Sequence, residues 1–170
     1  FSAAENQTAI GTVTATDGDS EDSSITFSVS GSDLLISSAG VLTFGVAPDY
    51  ETKTSYTATV TASDGTNTTN QNITVNVTNL NDNSPVFTSG TTFSAAENQT
   101  AIGTVTATDA DGEALNSKIA GTDTTSIMVT ATLGALILDS APDYETNTSS
   151  PATLTASDAN TTMTQNMTRH

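Results

Sequence analysis

Apolar and polar residues alternate with a period of two along much of the chain. Tyr56, Ala58, Val60 and Ala62 alternate with Thr57, Thr59 and Thr61; Ile73, Val75 and Val77 with Thr74, Asn76 and Thr78; Ile25, Phe27 and Val29 with Thr26 and Ser28. Each run presents one apolar and one polar face, as half-buried antiparallel strands do. Thr, Val and Ile suit a pleated surface. The turn pairs Asp17-Gly18, Gly31-Ser32, Ala39-Gly40 and Asp64-Gly65 separate the runs. No segment has a helical apolar stripe. About seven short strands in roughly 90 residues predict a β-sandwich.

The pattern occurs twice. Residues Phe1 to Asp17 and Phe93 to Asp109 both read FSAAENQTAIGTVTATD; Ala47 to Thr52 matches Ala141 to Thr146, and Thr61 to Asp64 matches Thr155 to Asp158. Repetition at this length means tandem domains rather than a solenoid. The expected organisation is all-β, with two tandem sandwiches of about seven strands each. Repeat one spans 1–78 and lacks its first strand; a linker covers 79–85; repeat two spans 86–170, is truncated, and has an incomplete last strand. The linker, Asn79-Leu80-Asn81-Asp82-Asn83-Ser84-Pro85, has little to bury and is rich in side-chain oxygen, and Pro85 stiffens it by restricting Ser84.

Repeat two is worn. Ser117 stands where Phe27 stood, Ser150 where Tyr56 stood and Arg169 where Val75 stood, and Pro151 falls inside an expected strand. A less stable second domain is expected.

Charge changes the picture most. Nineteen acidic residues face three basic ones in 170, a net charge of -16. Phosphate recognition needs Lys and Arg, so nucleic acid is excluded as a partner and anionic membrane surfaces are disfavoured. There is no cysteine. An extracellular sandwich without disulfides needs another source of cross-linking, and bound metal is one.

The carboxylates cluster at strand ends. A sandwich strand runs from pole to pole, so Asp17, Asp19 and Asp64 are expected at one pole of repeat one and Glu5, Asp49 and Glu51 at the other. The linker is expected to bring the latter set toward Asp82, Asp109, Asp111 and Asp158. Close carboxylate pairs repel by about 1 kcal/mol in water and about 4 kcal/mol at a surface-like dielectric. Calcium accepts six to eight oxygens in irregular geometry and would relieve the repulsion; zinc would call for His or Cys.

The ordered set Glu-Asn, Asp-x-Asp, Asp-Tyr-Glu, Ala-Ser-Asp and Asn-x-Asn-Asp-Asn-x-Pro resembles cadherin repeats over essentially the whole chain, most closely those of large bacterial or marine surface proteins. The resemblance implies Greek-key sandwiches with up to three Ca2+ ions between repeats. It implies ligands Glu5, Asp49 and Glu51 from repeat one, Asn81, Asp82 and the carbonyl of Asn83 from the linker, and Asp109, Asp111 and Asp158 from repeat two. Asp17, Asp19 and Asp64, and likewise Glu97, Asp143 and Glu145, would be incomplete half-sites. Asn79 departs from the family's Asp, which implies weaker binding. Tyr50 and Tyr144 replace a common Arg and leave the flanking ligands intact.

Other chemistries fit less well. An EF-hand over Asp17 to Ser28 fails, with Asp22 where Gly is needed and Ser28 where Glu is needed. The only histidine is His170, so no interior Ser-His-Asp set exists, and carboxylates repeated at a joint suit a cage better than a glycosidase pair. An enzyme is not expected. The triplets at Asn6, Asn72 and Asn76 would accept glycans in a eukaryotic secreted protein; the Thr-rich composition favours a plain β-forming role.

The functional expectation is a calcium-dependent structural and adhesion module, extracellular or at the cell surface. Its partners would be neighbouring repeats of the same chain, with other surface proteins or glycans beyond them. The alternative is a calcium-dependent homophilic or carbohydrate-binding module. Scarce aromatic residues, 5% of the chain with no Trp, count against the alternative.

Overall fold

A computed structural model describes residues 1–18, 24–120, 127–130, 134–139 and 150–169. The chain forms two compact units, Phe1–Leu80 and Asn81–His170. All regular structure among the described residues is β.

In the first unit, β1 (Ser2–Ala4), β7 (Thr68–Thr78), β6 (Ser55–Ser63) and β3 (Thr26–Val29) form one sheet in that order. β2 (Ala9–Thr12), β5 (Val41–Phe44) and β4 (Leu34–Ile36) form the other. Only the β4–β5 and β6–β7 connections stay within a sheet. The alternation read from sequence decides which face is buried. Ile73, Val75 and Val77 on β7 are buried, and Thr74, Asn76 and Thr78 are exposed. They meet Leu34, Leu42 and Phe44 from the opposite sheet. The rings of Phe44 and Tyr56 pack edge to face with centroids 5.1 Å apart, a favourable geometry for aromatic quadrupoles.

The second unit repeats the plan. β12 (Asn116–Ala120), β15 (Ser150–Ser157), β16 (Thr162–Arg169) and β9 (Thr92–Phe93) form the larger sheet. β10 (Ala101–Thr104), β14 (Ala135–Leu138) and β13 (Ile127–Val129) form the smaller one. β8 (Val86–Phe87) pairs with β11 (Ala107–Thr108). Ile127, Leu136, Leu138, Leu154 and Met167 fill the core.

Strand register bears on the worn positions. Phe27 pairs with Ala62, and Ser117 with the equivalent Ala156. Tyr56 pairs with Val75, and Ser150 with Arg169. Pro151 does lie within β15, opposite Thr168 of β16. On the other side the described residues of β12 pair with β15 from Ser157 to Thr153. Within the β15–β16 pair Pro151 has no N–H to donate.

Candidate metal centre

In the first unit Glu5 follows β1 directly, and Asn6 turns the chain with φ 62°, a left-handed conformation that Asn tolerates. The turn directs the Glu5 carboxylate inward, where the residue is 2% exposed. Its Oε2 accepts the N–H of Tyr50 at 2.8 Å, and its Oε1 accepts the N–H of Leu80 at 2.8 Å. Asp49 caps its own turn, accepting from the N–H of Thr52 at 3.1 Å and from the Thr52 hydroxyl at 3.0 Å. Carboxylate oxygens of Glu5, Asp49 and Glu51 all lie within 4.8 Å of one another. Three anionic groups at that spacing could hold a cation, and Asp49 and Glu51 remain exposed.

In the second unit the linker residues are bound into the acidic loops. Asp111 Oδ2 accepts the N–H groups of Asp82 at 3.0 Å and Asn83 at 2.8 Å, and its Oδ1 accepts Asn83 Nδ2 at 2.9 Å. Asp109 Oδ1 accepts the Asp111 N–H at 2.9 Å. Asp158, 3% exposed, closes a turn in which its Oδ1 accepts the N–H groups of Asn160 at 2.8 Å and Thr161 at 2.7 Å. The Thr161 N–H, followed by that of Asn160 and the Thr161 hydroxyl, holds the Asp158 carboxyl below its ordinary pKa against the opposing effect of desolvation.

Two oxygens in this cluster are not satisfied by protein. Asp109 Oδ2 and Asn81 Oδ1 are buried without a hydrogen-bond partner. A buried carboxylate or amide oxygen left without a donor costs free energy. A hard cation satisfies oxygens where no donor is at hand.

The remaining expected residues fall as follows. Asp17 and Asp64 line one concave surface of the first unit together with Asn67. Asp64 accepts the N–H groups of Thr66 at 2.7 Å and Asn67 at 2.6 Å, and these bonds, Asn67's foremost, lower its pKa. Glu97 is exposed, unlike Glu5. Asp19, Asp143 and Glu145 lie outside the described residues. Reading the sequence missed Thr52, Asn160 and Thr161, which brace the acidic turns. The available signal was a hydroxyl or amide two or three residues after an Asp, the spacing of an Asx turn.

No family model matches the chain. It is 39% identical over 79 residues to mouse cadherin EGF LAG seven-pass G-type receptor 1, a match covering 44% of this chain and 3% of that protein. Mouse cadherin-23 EC22–24 superposes with a TM-score of 0.76 at 22% identity, covering 99% of this chain and 61% of that one. The protocadherin gammaB7 EC3–6 cis-dimer structure gives 0.72 at 26% identity, covering 89% and 41%. The chain is thus a pair of cadherin-like repeats with an all-β sandwich fold, and it spans a small part of the curated relative. The further likeness to bacterial or marine surface repeats draws no support from these three proteins.

Proposed function

We propose that this chain is a structural module of an extracellular adhesion protein in which Ca2+ stiffens the joint between the two repeats. Glu5, Asp49 and Glu51 would be the ligands from repeat one, Asp82 a ligand from the linker, and Asp109, Asp111 and Asp158 those from repeat two. Asn81 would bind through its side chain and Asn83 through its backbone oxygen. That division is supported by the hydrogen bonds already made: Asn83 Nδ2 is engaged with Asp82 and Asp111, whereas Asn81 Oδ1 has no partner. The donor set suits the ion. It is oxygen only, mixing carboxylate, amide and carbonyl, with no His or Cys.

The observation that supports this reading most is the buried, unpartnered Asp109 Oδ2. Chain connectivity adds to it, because Leu80 is bonded to Glu5 and Asp82, two residues later, to Asp111. An ion that satisfied both acidic sets would limit swivelling at Asn81. Carboxylates gathered at the joint would repel one another without an ion and less with one. The Asp17–Asp64 concavity, as an incomplete half-site, would bind more weakly.

The test is calcium titration by calorimetry on the two-repeat chain and on Asp109→Asn, joined to small-angle scattering with and without the ion. Affinity in the range of about 10⁻⁴ to 10⁻³ M is expected, together with a longer, narrower distance distribution when calcium is present. Equal heats for the two proteins, or an unchanged maximum dimension, would eliminate the mechanism.

A second reading is self-association. It is supported by Leu35 and Val41, exposed on the smaller sheet of the first unit, and Met128, exposed on that of the second. A sedimentation coefficient that rises with protein concentration would favour it.

A further inference from the structure

The Asp64 and Asp158 turns share one frame, each aspartate accepting the N–H groups two and three residues ahead. Beyond that frame they differ. The first reads Asp64-Gly65-Thr66-Asn67 and the second Asp158-Ala159-Asn160-Thr161, so amide and hydroxyl have exchanged places. In the second turn the exchange has a structural result. Asn160 Nδ2 donates to the carbonyl of Asn81 at 3.1 Å. The Thr161 hydroxyl lies 3.1 Å from the carbonyl of Asn83 and 2.9 Å from Asp158 Oδ2. Asn81 and Asn83 both lie at bends of the chain, and adjacent side chains of one turn reach the carbonyls of both.

The shared frame puts strain on the second turn. Ala159 has φ 116°, where Gly65 has φ 96° in the first unit. A non-glycine residue in that region persists only where its surroundings over-determine it.

We infer that Asn160 and Thr161 are positioning residues that clamp the backbone of Asn81–Asn83 onto the second unit and so present Asn81 Oδ1 and Asn83 O to a divalent cation. This rests on the calcium reading above for its purpose, though not for the clamp itself. The clamp sorts the oxygens. It occupies the Asn81 carbonyl, which leaves that residue's amide oxygen for an ion, and it fixes the direction of the Asn83 carbonyl. The Thr161 hydroxyl has one proton for two acceptors, so either Asp158 Oδ2 or Asn83 O is always left with lone pairs to offer.

The clamp is tested without metal. Amide exchange of Asp82 and Asn83 is measured by NMR on the two-repeat chain in chelator, for wild type, Thr161→Val, Thr161→Ser and Asn160→Ala. Thr161→Val removes the hydroxyl and keeps the shape, and exchange at both amides is expected to speed up about tenfold, the effect of a net hydrogen bond. Thr161→Ser should restore the wild-type rate, which a purely steric role would not do. Unchanged exchange in both Thr161→Val and Asn160→Ala overturns the inference; if Thr161→Val does not fold, Asn160→Ala decides alone.

Calcium titration of the same proteins then separates the two readings. Outer-shell substitutions weaken metal binding by roughly 10- to 100-fold, and Thr161→Val should fall in that range with Thr161→Ser near wild type. Equal affinity of wild type and Thr161→Val removes the positioning role. A wild type that binds no calcium, with exchange altered as expected, removes the calcium reading and leaves the clamp standing.

Discussion

The N–H of Val13 donates to the carbonyl of Gly40 at 2.8 Å, and the two backbones approach so closely that a methyl group on Gly40 would overlap the carbonyl oxygen of Val13. Val105 and Gly134 stand in the same relationship in the second unit. Both glycines have positive φ, 83° and 61°. Any side chain there meets a rigid backbone and a strained conformation together. Gly40→Ala is expected to destabilise the first unit by about 3 kcal/mol, and Gly134→Ala the second similarly. Urea unfolding checks this, and a loss near the cost of an ordinary surface substitution would contradict the reading.

Glu5 is a structural acceptor whether or not an ion is bound. Glu5→Ala would leave the N–H groups of Tyr50 and Leu80 without their acceptor, and a loss of about 2–4 kcal/mol is expected. Glu5→Gln keeps one carbonyl acceptor and should cost less. Both measurements belong in chelator, so that lost metal binding does not enter. Equal stability of wild type and Glu5→Ala would show that these two bonds contribute nothing.

The first unit should melt above the second. It has the Phe44–Tyr56 ring pair and Phe27 packed against its core. At the equivalent places the second unit has Leu138, Ser150 and Ser117. Calorimetry on the intact chain, with exchange mass spectrometry to assign each transition, should find the lower one in the second unit. Phe44→Leu should lower only the upper transition. A second unit that melts at or above the first would refute this.

Acid has a local effect of predictable sign. Backbone N–H groups lower the pKa values of Asp64 and Asp158. A carboxyl whose folded pKa lies below its unfolded value stabilises the fold above about pH 4, and the contribution disappears as pH falls through the folded value. Relief of general acidic repulsion works in the opposite direction, so the comparison must be with Asp64→Asn and Asp158→Asn. The urea-midpoint difference between wild type and each variant should be full at pH 7 and shrink below about pH 4. A difference independent of pH would mean that charge plays no part in these turns.

Ala159 offers a stabilising change. Replacing it by Gly removes the Cβ from a conformation that Cβ disfavours. Ala159→Gly should stabilise the second unit by about 1 kcal/mol, read as a rise in its melting temperature. A fall would show that the backbone there is unstrained.

Much of this architecture follows from local rules. Period-two alternation identified β3, β6 and β7 and their buried faces, because a strand turns successive side chains to opposite sides whatever lies beyond it. The duplicated FSAAENQTAIGTVTATD segment announced two domains, and the spacing of Glu5, Asp49 and Glu51 at strand ends foretold one cluster. The short strands β1, β2, β4 and β5 were not individually legible, since Leu34-Leu35-Ile36 has no alternation to read. What only tertiary structure decided are the relations between residues far apart in the chain: Glu5 accepting from Leu80, Asn160 and Thr161 reaching back to Asn81 and Asn83, and Asp109 Oδ2 buried with no donor. The physical reason is that hydrogen-bond satisfaction depends on which groups the fold brings within about 3 Å, and neither composition nor period encodes that distance.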